Sequence, residues 1–201
     1  MAGSTPRDPG ELLRYFPLVR LKEGYRLDSY QYLTGPDGNG FVFAVPADRR
    51  LPPPPERPDL AWRQGIIPTP RAAGLPEWAR EDIEAFLEPE GSPLSYFQCS
   101  LLIRELRELG ACWHGAHWST HEIVTELDPD EAARWQWAGE RPEEFLPQVT
   151  VTGPGEATVR FYTVTRYVQE ELCCHADTYS GGVLVDQTRN TVAVGGMGYI
   201  Y

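Results

Sequence analysis

The residues of this chain best suited to chemistry are its four histidines, and each lies close to a cysteine. His114, His117 and His121 follow Cys112 in the run Cys112-Trp-His-Gly-Ala-His-Trp-Ser-Thr-His121, and His175 follows the pair Cys173-Cys174. Imidazole is the commonest metal ligand and titrates near neutral pH. Thiolate joins it in tetrahedral zinc sites. On a helix over 112–121, His114, His117 and His121 would fall within a narrow arc. Three imidazoles could then hold zinc and leave a fourth position for water. Zinc lowers the pKa of that water to about 7, which is the chemistry of a metal-dependent hydrolase. Glu122 or Glu126 would supply a base.

An extended segment makes a different set. Gly110, Trp113, Gly115, Trp118, Ser119 and Thr120 are poor helix formers, and they favour a strand or loop. Residues two apart on a strand share a face, which pairs Cys112 with His114 and Cys173 with His175. Were those strands neighbours, the two pairs would compose a Cys2His2 zinc set. The spacing is not that of a zinc finger. His-Glu-x-x-His, His-x-x-Glu-His and Cys-x-x-Cys are all absent. Cys112 or Cys173 could also act as a thiolate with a histidine as its base. The plainer alternative is packed, hydrogen-bonded histidines on an ordinary sheet face.

The elements that must position these residues read as α+β. Segment 11–16 predicts a short helix stopping before Pro17. Tyr25–Leu33 and Phe41–Val45 predict an N-terminal hairpin around a glycine-rich loop. That loop lacks the Gly-Lys-Ser/Thr ending of a phosphate cradle, and no helix follows it. Residues 46–76, with Pro52 to Pro55 consecutive, predict a stiff proline-rich connector. Residues 76–87 predict a helix opened by proline and acidic residues. The strongest helix is 92–109, with Ser92 as cap, Pro93 in the first turn and Gly110 as stop. Leu94, Phe97, Leu101, Leu102, Leu106 and Leu109 give it a broad apolar stripe. A helix led by Asp128 and Pro129 runs to Gly139. From Pro147 the period becomes two, giving candidate strands 148–153, 157–165, 170–178, 182–187 and 191–200 with short connections. The central helix 92–109 is therefore expected to pack on a C-terminal antiparallel β-meander forming a curved sheet. In the strand 170–178, Val168, Leu172, Cys174 and Ala176 are expected to face the core. Glu171, Cys173, His175 and Asp177 are expected on the polar face, opposite Arg160 and Tyr162. The organisation expected is a flexible leader over 1–10 and a single domain over 11–201.

Composition sets the function classes. The chain has 201 residues, 41% hydrophobic and 23% charged, enough to build a full core. A net charge of −11 disfavours a phosphate-backbone partner and suits solubility or a basic protein partner. No apolar run has the length of a membrane span, and the N-terminus has no apolar stretch of a secretory signal. The expectation is a cytoplasmic protein with reduced cysteines. Without a complete catalytic motif, the leading reading is an acidic accessory or protein-interaction domain. The alternative is the zinc-type hydrolase, with Cys112, His114, His117, His121, Cys173 and His175 as candidate ligands.

Overall fold

The computed structural model describes residues 8–34, 37–53, 75–109, 118–167 and 169–197. Helix α1 (Pro9–Leu12) starts where the Asp8 side chain accepts from the Gly10 amide, and it runs on as a 3-10 turn over Leu13–Tyr15. Strand β1 (Val19–Leu21) pairs antiparallel with β4 (Leu87–Pro89). Strands β2 (Tyr25–Thr34) and β3 (Asp37–Pro46) pair antiparallel.

Helix α2 (Pro93–Arg107) begins as its sequence demands. Ser92 is extended, its hydroxyl accepts from the Ser95 amide, and Pro93 occupies the first turn, where no amide donor is missed. Its buried face differs from the leucine stripe. Tyr96, Cys99, Leu102, Ile103 and Leu106 are buried together with Ser95, Ser100 and Arg104, whereas Leu94 is 54% exposed. Leu102, Leu106 and Leu109 of the stripe are in the core, and the small Ser95 and Ser100 share the inward side with them.

The second half of the chain is a six-stranded antiparallel sheet. Its order is β5 (His121–Val124), β8 (Glu156–Thr165), β9 (Gln169–Ser180), β10 (Val183–Met197) and β6 (Gln136–Trp137), with β7 (Gln148–Gly153) also pairing β8. Strands β5 and β7 share one edge of β8, taking Tyr162–Thr165 and Glu156–Arg160 respectively. Two hydrophobic clusters pack against opposite faces of the sheet. One core joins α2, the β2/β3 pair and the Val159, Phe161 and Tyr179 side of the sheet. The other gathers Val124, Trp135, Phe145, Tyr162, Val164 and Leu172 on the opposite side. Each fully buried leucine or phenylalanine in such a core contributes about 1.5–3 kcal/mol.

Three elements differ from the sequence reading. Segment 76–87 is not a helix but a turn, a 3-10 turn over Ile83–Phe86 and the start of β4. The backbone at Arg80 is engaged by Ala44 in both directions, at 2.9 and 3.0 Å, which leaves no helical ladder there. The helix at Asp128 is confined to α3 (Pro129–Ala132), because Gln136 and Trp137 pair with β10 at Val194 and Ala193. The candidate strands 182–187 and 191–200 are joined, since Thr188, Arg189 and Asn190 continue the ladder to Ala176, His175 and Cys174. No helix among the described residues is long and apolar enough to cross a membrane.

Candidate functional site: a buried histidine–arginine chain

The inner face of β9 carries the polar residues. Cys173, His175 and Asp177 are at most 2% exposed, and His175 and Asp177 face Arg104 of α2. The sequence reading puts Val168, Leu172, Cys174 and Ala176 against the core and leaves Glu171, Cys173, His175 and Asp177 on a polar face. In the structure Cys173, His175 and Asp177 are buried as well, while Leu172 and Cys174 meet the second cluster. The residues opposite His175 and Cys173 are Phe161 and Thr163. Arg160 and Tyr162 stand opposite Ala176 and Cys174.

What makes a polar face tolerable inside is Arg104 of α2. Its guanidinium grips Asp177 through two hydrogen bonds of 2.7 and 2.8 Å and donates to the Ser100 carbonyl at 2.8 Å. The planar group lies over the Phe161 ring at 4.9 Å and over Trp118 at 5.5 Å. A desolvated ion pair held by two parallel hydrogen bonds is the arrangement in which a buried charge persists.

From Arg104 a chain of polar contacts runs outward. One guanidinium nitrogen is 3.5 Å from His175 Nδ1. His175 Nε2 is 2.8 Å from Thr163 Oγ1, and Thr163 Oγ1 is 2.7 Å from Nδ1 of His121. Aromatic rings enclose the chain. Phe161 stacks on His175 with centroids 4.8 Å apart, and Trp118 stacks on His121 while presenting its edge to His175. Trp118 is itself held by α2, its indole nitrogen donating to Glu105 at 2.8 Å and its amide to Glu108.

The electrostatics keep His175 neutral. Burial, then the adjacent Arg104, then His121 and Arg189 hold its pKa down from 6.5 to about 3. A depressed folded-state pKa means that the unfolded chain binds the proton first as pH falls. Stability is therefore full above about pH 6.5 and lost progressively toward pH 3. His175 is expected to account for about 2 kcal/mol of stability loss between pH 7.5 and pH 5. Urea midpoints at the two pH values check this, because the loss should shrink by that amount in His175→Gln. An unchanged pH slope in the variant would refute the assignment. Burial also pushes the Cys99 thiol up to about 12 and the Tyr179 phenol above its usual range, so both stay protonated.

The structure brings His121 and His175 together, with ring centroids 5.7 Å apart. Cys173 sits on the same face of β9, where Arg189 Nε donates to its sulfur at 3.3 Å beneath the Arg189–Glu171 pair. Cys112, His114 and His117 lie outside the described residues. Glu122 is engaged by Arg166 at 3.0 Å rather than held near an imidazole. Among the described residues, no group of three or more histidine, cysteine or acidic side chains converges as metal ligands would. The sequence reading passed over Arg104 and Thr163. The signal for Arg104 was available, since an arginine between Ile103 and Leu106 with Ser100 four residues earlier breaks the apolar face.

A second feature lies at the surface. The N-terminal turn and the C-terminal end of α2 enclose a cleft of about 170 Å³. Its lining combines the acidic Asp8, Glu11, Glu105 and Glu108 with the apolar Leu12, Leu109 and Trp118. Tyr15 stands at its side, 78% exposed.

Comparison with protein-family models, curated proteins and solved structures gives no match to this chain. The functional reading therefore rests on the side chains themselves.

Proposed function

We propose that this chain is an acidic accessory domain that docks a basic segment of a protein partner in the cleft beside α1. The observation that carries the reading is the combination of four carboxylates with an apolar lining. The aliphatic stem of an arginine or lysine lies well on Leu12, Leu109 and Trp118 while its charged head meets the acids. The net charge of −11 would speed encounter with such a partner. The free thiols of Cys99, Cys173 and Cys174 suit a reducing, cytoplasmic setting.

A fluorescent peptide alternating arginine and leucine tests this directly. Its affinity should fall about tenfold in Glu11→Gln combined with Tyr15→Ser, the equivalent of about 1.4 kcal/mol. It should be unchanged in Glu143→Gln, a carboxylate that does not line the cleft. Equal weakening by both variants would mean that only bulk charge is felt, and the reading would fail.

The convergence of His121 and His175 favours a second reading, the zinc-type hydrolase that also uses His114 and His117. Zinc–nitrogen bonds are near 2.1 Å. An ion shared by His121 Nδ1 and His175 Nε2 would have to take the place of the Thr163 hydroxyl that now bridges them. Metal analysis of protein purified without a histidine tag tests it, and substoichiometric zinc, nickel and iron would remove it.

A further inference from the structure

We infer that Thr163 is a positioning residue that holds His121 as its Nε2–H tautomer, so that this ring meets its surroundings at Nε2 as a hydrogen-bond donor and not as a metal ligand. The inference is independent of the docking cleft. It follows from counting hydrogens along the buried chain.

Arginine has five donors and no acceptor. The guanidinium beside His175 Nδ1 can therefore face only a lone pair there, and an N–H on Nδ1 would point into its positive charge. A neutral imidazole carries one ring proton, so that of His175 resides on Nε2 and is donated to Thr163 Oγ1 at 2.8 Å. Thr163 is fully buried and has a single hydroxyl hydrogen. With its oxygen already accepting from His175, that hydrogen is left for the other imidazole nitrogen within reach, Nδ1 of His121 at 2.7 Å. His121 Nδ1 is then an acceptor, and the proton of the neutral ring sits on Nε2.

The direction of every bond is thus set from the inside outward, beginning at the Asp177–Arg104 pair. The ion pair fixes the guanidinium, the guanidinium fixes the His175 tautomer, and the hydroxyl passes the choice to His121. Trp118, stacked on His121 with an interplanar angle of 17°, holds the ring plane. The group that suits an Nε2–H is an oxygen acceptor, such as a carbonyl, carboxylate or phosphate oxygen. A cation at that nitrogen needs its lone pair, which would put the ring proton on Nδ1 and turn the Thr163 hydroxyl hydrogen away from His121.

Long-range proton–nitrogen NMR of the uniformly nitrogen-15-labelled full chain at neutral pH reads the tautomers directly. The expected spectrum shows a protonated Nε2 and an unprotonated Nδ1 for both His121 and His175, unmoved by one equivalent of zinc. An Nδ1–H form of either ring, or loss of the His121 Nε2 proton on adding zinc, would overturn the inference. In Thr163→Val the His121 Nδ1 resonance should move from its wild-type position, and Thr163→Ser should restore it. An unmoved resonance in Thr163→Val would show that the hydroxyl does not position His121. Should the valine variant fail to fold, the wild-type and serine spectra decide the matter.

Discussion

Arg104→Met is expected to lower the stability of the fold by about 3–5 kcal/mol, the largest loss at any single side chain of the polar chain. Methionine retains most of the apolar stem, so the loss isolates the guanidinium. Its removal strands the Asp177 carboxylate, 1% exposed and with both oxygens deprived of their 2.7 and 2.8 Å donors. It also frees the Ser100 carbonyl and removes the cation from the face of Phe161. Because domains of this size are stable by only about 5–15 kcal/mol, such a loss is a large share of the total. Urea unfolding measures it. The paired variant Arg104→Met with Asp177→Leu supplies the control, since replacing both charges by apolar groups is often close to neutral. A double variant as unstable as the single one would show that packing, not the abandoned charge, sets the cost.

Gly155→Ala should cost about 2–4 kcal/mol, from backbone conformation and collision together. Gly155 closes the turn between β7 and β8 at φ +78°, in the left-handed region that disfavours a Cβ. The added carbon would lie 2.7 Å from the Gly182 nitrogen and 2.9 Å from the Gly181 carbonyl carbon, both backbone atoms. It would also press apart the contact in which the Gly182 amide donates to the Gly155 carbonyl at 2.9 Å, where the β7–β8 and β9–β10 turns meet. Gly24→Ala is the matched comparison. It has φ +82° but nothing within 4 Å of the new carbon, so only the conformational part, about 1–2 kcal/mol, should remain. Equal denaturation midpoints for the two variants would show that the turns do not touch as described.

The parts of the fold legible in the sequence are those whose signals are local. Ser92 and Pro93 announce α2, and the alternation after Pro147 announces β7, β8 and β9. What could not be read depends on distant partners. Nothing near Arg80 says that Ala44 will engage its backbone, and nothing near Trp137 says that Ala193 will do so. Trp78, Ile83, Phe86 and Leu87 have helical spacing, yet the same residues serve equally well in a turn leading to an edge strand. The histidines themselves were visible, and two of them do converge. Their setting was not, because a face bearing Cys173, His175 and Asp177 is solvated unless an arginine arrives from elsewhere. That arginine lies 73 residues away in sequence from Asp177.

The burial of the polar face of β9 has a consequence for errors in folding. A strand with one wet face that slips by one residue merely trades core for solvent. In β9 the trade would be between a buried polar face and a face that is buried only at Leu172 and half-buried at Cys174 and Ala176. A one-residue slip would push Asp177 and His175 toward Trp135, Phe145 and Tyr162, and would offer Leu172, Cys174 and Ala176 to Arg104. The buried guanidinium of Arg104 would lose both of its hydrogen bonds to Asp177 in that step. The Arg104–Asp177 pair therefore works as a checksum on strand alignment, admitting one register of the meander and heavily penalising its neighbours.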